Sequence, residues 1–151
     1  LATFKGVHRR FSYRIKRDDL VVIDDYAHHP AEIAAVHQAV REMHPGKRIL
    51  AIFQPHLFSR TRDFAEGFAN SLSLFDELLL MDIYPAREKP IEGISSKWLL
   101  KMVNNDKKEL VQKKDLSEVI KAKKAEVVVL MGAGDIGEEV GKIRKELSGE
   151  N

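Results

Sequence analysis

The chain has no cysteine among its 151 residues. A disulfide framework and a thiolate-held metal are therefore both excluded. It also lacks any apolar run near the roughly 20 residues that cross a bilayer, and nothing in it reads as a signal peptide. No Gly-x-x-x-x-Gly-Lys-Ser/Thr phosphate loop and no nucleophile elbow is present. No residue here is expected to cradle and cleave a triphosphate unaided. Charge of one sign is missing too: 25 Lys and Arg stand against 23 Asp and Glu, a formal net charge of +2. The lysines between Lys101 and Lys124 are mixed with acids and read as a solvated face. The denser Lys5–Arg10 stretch has no RNA- or DNA-binding motif beside it, so no nucleic-acid partner is read. The expected setting is one soluble domain in the cytoplasm, with no membrane partner.

What is there is periodic. Phe11 to Arg17 alternates, with Phe11, Tyr13 and Ile15 on one side, and Leu20 to Ile23 returns after an Asp18-Asp19 turn, which predicts a hairpin. Pro30 to His44 repeats at helical spacing through Ile33, Val36, Val40 and Met43 and stops at Pro45-Gly46. Arg48–Phe53, Leu78–Ile83, Glu109–Gln112 and Val127–Met131 read as further strands. Helices are predicted over 63–74 (Phe64, Phe68 and Leu72 inward), from a Ser95-Ser96 cap to Val103, from an Asp115 cap to about Lys123, and from the Gly132–Gly134 turn to about Leu147. Trp98 reads as core or partly buried packing. Alternating strands and helices predict an α/β, Rossmann-like, three-layer fold: a mostly parallel sheet with one antiparallel N-terminal hairpin strand. The chain opens on Leu1 rather than Met and its first dozen residues read as linker, so a piece of a longer protein is expected. Residues 1–10 are assigned to the linker and 11–151 to the domain.

Four loops then follow strands onto one crest, where ligands bind in open α/β sheets: 24–30, 54–62, 84–93 and 132–137. The first holds Asp24-Asp25-Tyr26-Ala27-His28-His29-Pro30. Its carboxylates and imidazoles are costly to bury unless they are used. A substrate or nucleotide contact through Asp25 and His28 is one reading; a metal held by Asp24, Asp25, His28 and His29 is another. In the second loop, Arg60 and Arg62 are fork-shaped anion ligands just ahead of a predicted helix start. An ordinary surface bridge from Arg62 to Asp63 or Glu66 is equally open. The third, Tyr84–Ile91, reads as a rigid rim without legible chemistry. The fourth, Gly132-Ala133-Gly134-Asp135-Ile136-Gly137, fits the dinucleotide fingerprint, but only 14 residues follow it, too few for the strand and ribose-binding acid that must come after. A tight turn with close helix–strand packing is the other reading, and a stand-alone nucleotide-binding module remains an alternative.

Taken in order, Asp24-Asp25-Tyr26-Ala27-His28-His29-Pro30, Phe53-Gln54-Pro55-His56 with Arg60-Thr61-Arg62, Ile83-Tyr84-Pro85-Ala86-Arg87-Glu88 with Pro90-Ile91 and Gly93, and Gly132-Ala133-Gly134-Asp135-Ile136 resemble the C-terminal domain of the Mur ligases of peptidoglycan synthesis. The second and third blocks resemble the alanine-adding branch; the first is shared with sister ligases, including the one that recycles muropeptides. The resemblance spans the chain from Gly6-Val7-His8-Arg9-Arg10-Phe11 onward. It implies a three-domain enzyme whose first domain binds the UDP-sugar, whose central domain carries the ATP phosphate loop, and whose third closes over both. The implied activity is ATP- and Mg²⁺-dependent: the carboxylate of UDP-N-acetylmuramate becomes an acyl phosphate, which the amine of L-alanine attacks. The implied catalytic residues are His28 and Arg60. The implied substrate contacts are Tyr26, His28, His29, His56, Arg60 and Arg62. Arg9, Arg10 and Asp25 are the implied nucleotide contacts, Asp25 at the ribose, with no metal held by this domain. Many alanine-adding members carry Arg after Phe-Gln-Pro-His; here the residue is Leu57, which leaves more of the anion binding to Arg60 and Arg62.

Overall fold

The computed structural model describes residues 10–149; Arg9 and most of the predicted linker lie outside them. Its elements are β1 (Ser12–Lys16), β2 (Val21–Asp25), α1 (Pro30–Met43), β3 (Ile49–Phe53), α2 (Phe58–Asp63), α3 (Ala65–Leu72), β4 (Glu77–Leu80), α4 (Ser96–Leu100), β5 (Lys108–Leu110), α5 (Leu116–Lys123), β6 (Val127–Met131) and α6 (Ile136–Ser148). The six strands form one sheet in the order β1-β2-β6-β3-β4-β5. Only β1 runs antiparallel, against β2.

Every residue of β2, β3, β4 and β6 is buried, as in a parallel sheet covered on both faces. The two-residue strand period divides the core into two layers. Ile49, Ala51 and Phe53 of β3, with Val127 and Val129 of β6, pack against Ile33, Val36 and Val40 of α1, Phe68 and Leu72 of α3 and Leu99 of α4. Leu50, Ile52, Val128 and Leu130 face Leu116 and Ile120 of α5 and Ile136, Val140 and Ile143 of α6. The predicted three-layer, mostly parallel α/β architecture is what the chain adopts.

Several boundaries differ from the sequence reading. A register shift between Tyr13 and Ile15 makes Arg14 a bulge. Phe11 and Tyr13 therefore pack on the α1 layer and Ile15 on the opposite one, not all three on one side. The freed Arg14 guanidinium reaches the buried Asp24 carboxylate at 3.1 Å. Met43 is 54% exposed, because the apolar stripe of α1 leaves the core at the last turn, where only the Tyr13 hydroxyl approaches its sulfur. The polar loop predicted over 54–62 is helical from Phe58, and the single helix predicted over 63–74 is really α3 alone. Phe64, at the junction, has φ −117 and is exposed rather than inward; its ring packs on that of His29, 4.7 Å away. β4 ends at Leu80 and α4 at Leu100, both earlier than predicted. The short fifth strand falls at Lys108–Leu110. Ser95 caps α4 by accepting the Trp98 N–H. Asp115 stands at the start of α5 but its side chain caps nothing, since a 3₁₀ turn over Lys113–Asp115 feeds directly into the helix. No helix among the described residues is long and apolar enough to cross a membrane.

Candidate active site at the strand tips

The C-terminal tips of the parallel strands stand level. Asp25 pairs with Met131, and Met131 with Phe53, which is paired with Leu80. The first residues beyond continue the ladder: Gly132 N–H donates to Asp25 O, Gln54 N–H to Met131 O and Met81 N–H to Phe53 O. All four predicted crest loops therefore leave from one line.

Strand alternation separates the two aspartates. Asp24 lies on the α5/α6 face, paired across to Leu130, while Asp25 lies on the α1 face with Met131. Asp25 is 7% exposed. Its Oδ2 accepts from Phe11 N–H and its Oδ1 from Ala27 N–H, each at 2.7 Å. Burial raises its pKa; those two N–H groups and the Arg10 charge act the other way, and Asp24 adds to the rise. It forms the polar edge of a cavity of about 380 Å³ whose walls include Phe11, Ala35, Val36 and Ala39, with Arg10 at the rim. The histidines diverge as well, His29 toward Phe64 and His28 toward Tyr26 and His56. The four-residue metal reading fails on this geometry. Among the described residues no group of three His, Asp or Glu side chains could hold an ion.

His28 Nδ1 lies 3.0 Å from the Tyr26 carbonyl, which can only accept, so this nitrogen carries a proton and the neutral ring keeps its lone pair on Nε2. Glu32, in the first turn of α1, accepts the His28 backbone N–H and approaches its Nδ1 at 3.4 Å. His56 has the opposite tautomer. Its Nδ1 stands 3.1 Å from Arg60 Nη1, and a guanidinium only donates, so the proton is on Nε2. The two rings are 6.3 Å apart, and Tyr84 stacks on His56 at 5.7 Å. Burial, then the charges of Arg60 and His28, lowers the His56 pKa.

Fork donors on Arg60 and a donating Nε2–H on His56 give this part of the crest hydrogen-bond donors of the kind that suit an anion. An NMR titration of His56 should give a midpoint below the ordinary imidazole value of 6.5, and Arg60→Ala should move it up. The associated stability is complete above the unfolded value and is lost as pH falls from there through the folded one.

Arg60 and Arg62 have different partners, Arg60 meeting His56. Arg62 Nε bonds Asp63 at 2.8 Å, with both side chains about half exposed. Tyr26 is exposed beside His28. Leu57, at φ 74, turns the chain into α2, a conformation costly for any residue but glycine. It is held by its N–H to Tyr84 O and by the Thr61 N–H and hydroxyl, both donating to Leu57 O.

The glycine fingerprint is filled. A Cβ on Gly134 would meet Gln54 Oε1 at 2.5 Å and Tyr84 at 2.7 Å. At the start of α6, Ile136 N–H donates to Gln54 Oε1, Gly137 N–H to Gly134 O and Glu138 N–H to Asp135 O. A pyrophosphate would find those donors engaged, so close packing, not dinucleotide binding, is what these glycines serve. Sequence reasoning missed Gln54, whose amide also donates to Asp135 at 2.6 Å, and Glu88, whose carboxylate accepts from Ser59. Both stand inside blocks that carry the family resemblance, which was the only signal for either and gave neither a role.

A family model described as "Mur ligase, glutamate ligase domain" matches residues 9–134. Among curated proteins, the UDP-N-acetylmuramate–L-alanine ligase of Christiangramia forsetii is 72% identical over 147 residues, covering 97% of this chain and 32% of that protein. The enzyme of the same name from Flavobacterium johnsoniae is 64% identical over 148 residues, covering 98% and 33%. The chain thus spans about a third of the length of these curated relatives. Among solved structures, the UDP-N-acetylmuramate–alanine ligase of Thermotoga maritima aligns with a TM-score of 0.74 at 30% identity, over 97% of this chain and 31% of that one. A murein peptide ligase from Psychrobacter arcticus shares the fold at a TM-score of 0.66 and 21% identity, over 95% and 31%.

Proposed function

Since this chain belongs to the Mur ligase family, we propose that it is the C-terminal domain of an ATP-dependent ligase joining L-alanine to UDP-N-acetylmuramate in peptidoglycan biosynthesis. The observation that carries this reading is the 72% identity, over nearly the whole chain, to a ligase of that name. Such a reaction brings together an acyl phosphate and an amino-acid carboxylate, both anions. Arg60 and His56 offer donors for one of them from a single corner. His28, with its lone pair on Nε2 and its Nδ1–H fixed by Tyr26 O, accepts a proton or, once protonated, adds a third donor. Tyr26, His29 and Arg62 are the further substrate contacts of this reading. ATP supplies the phosphoryl group that activates the muramate carboxylate. The cavity edged by Asp25 and Arg10 fits the nucleotide's ribose end, with Asp25 accepting from its hydroxyls. Arg9, outside the described residues, is proposed to reach the phosphates. In this reading the central domain carries the ATP phosphate loop and most contacts to ATP and Mg²⁺ lie outside this domain, whose partners are the other two domains and the two substrates. Closure of the three domains keeps water from the acyl phosphate. The setting proposed is the cytoplasm.

Phosphate release by the full-length protein tests this reading. It should require ATP, UDP-N-acetylmuramate and L-alanine together, and the 151-residue chain alone should be inactive. Release with a tripeptide in place of alanine would move the protein to the muropeptide-recycling sister. No release with either would overturn the proposal.

A further inference from the structure

The rim loop after β4 carries a carboxylate that reaches across the crest. Glu88 closes a turn through its N–H to Pro85 O, and its side chain turns back to α2. Oε1 accepts the Ser59 N–H at 3.1 Å, Oε2 accepts the Ser59 hydroxyl, and the Phe58 N–H also donates to this carboxylate. These are the first two N–H groups of α2, which no neighbour within the helix can satisfy. The residue at the cap position itself, Leu57, has no side-chain oxygen to offer. A helix of six residues does not hold its own geometry, so its direction depends on such anchors. Arg60 follows Ser59 directly, and its guanidinium leaves α2 toward His56. The same loop supplies Tyr84, which stacks on His56 and brackets it with backbone bonds from Tyr84 N–H to Pro55 O and from Leu57 N–H to Tyr84 O. The rim is thus the template on which the Arg60–His56 corner is built.

We infer that Glu88 is a positioning residue for Arg60: it caps α2 from the rim loop and so fixes where the guanidinium meets the carboxylate of the incoming amino acid. The inference rests on the ligase reading above. In the full-length enzyme, Glu88→Ala should raise the KM for L-alanine roughly tenfold, the usual scale of a lost helix cap, and leave the KM values for ATP and UDP-N-acetylmuramate within about twofold. Glu88→Gln keeps an acceptor oxygen and should recover part of the loss. Because Glu88 acts through Arg60, Glu88→Ala should add little in an Arg60→Ala background. Nitrogen NMR of His56 supplies a second readout: in Glu88→Ala its Nδ1 should lose the bond from Arg60. Multiplying kinetic effects, or a lower Tm with an unchanged KM and an unchanged His56 signal, would overturn the inference. An enzyme that turns over no alanine removes the ligase reading instead, and the His56 signal then still decides whether Glu88 holds Arg60.

Discussion

Arg60→Ala should lower kcat/KM for L-alanine in the full-length protein, read as the proposed ligase, by about 10²-fold or more, the range seen when a charge clamp on a reacting anion is removed. The side chain is half-buried on a short helix and belongs to neither core layer, so Tm should change little. Arg60→Lys keeps the charge but not the planar fork, and it also cannot satisfy His56 Nδ1 in the same geometry. Only partial recovery is expected. Arg62 provides the comparison on the same helix. Its guanidinium is engaged by Asp63 in a half-exposed pair, and such pairs contribute little, so Arg62→Ala should change the same constant by a few-fold at most. Steady-state kinetics with alanine as the varied substrate decides the matter. Wild-type behaviour of Arg60→Ala would remove the site assignment while leaving the family intact.

Gly134→Ala should destabilise the domain by about 2–4 kcal/mol, the usual cost of overpacking joined to a disturbed buried hydrogen bond. The added methyl would lie 2.5 Å from Gln54 Oε1 and 2.7 Å from Tyr84 Cβ and Cγ. Neither neighbour yields cheaply. Gln54 is buried and caps α6 through that same oxygen, and Tyr84 is fixed by its backbone bonds to the loop over 55–57. For a domain of this size the Tm should fall by roughly 5–15 °C. Gly141→Ala is the control. It lies inside α6 with nothing within 4 Å of a new Cβ, so the higher helix propensity of alanine should leave it as stable or slightly more so. Thermal unfolding of both variants checks the pair. A Gly134→Ala protein as stable as its parent would mean that the crest turn is not the packing device described.

The alternation of buried strands with amphipathic helices was legible in residues such as Ile49–Phe53 and Val127–Met131, because burial on both faces demands unbroken apolar runs whatever the neighbours are. The placement of polar and turn residues at strand tips was legible for the same local reason: Asp24-Asp25, Gln54 and Gly132 each follow directly on such a run. One helix pattern was misread because a local rule met a non-local one. Phe64 sits on the apolar stripe of α3 by spacing, yet a separate short helix, α2, whose start Glu88 caps from another loop, ends just before it and leaves Phe64 at the junction.

Sequence by itself determined the α/β class, the sites of the strands and the crest loops that carry the chemistry, since these follow from the period of burial along the chain. The family resemblance added the expected roles of Asp25, His28 and Arg60. Tertiary structure alone decided that β6 lies between β2 and β3, so that the fingerprint glycines pack under Gln54 and Tyr84 instead of meeting a phosphate. It alone gave His28 and His56 opposite tautomers and joined Glu88 to a helix 29 residues earlier. Each of these depends on which distant partner meets a group, and that choice is made by the packing of the whole sheet, not by the spacing of residues along one segment.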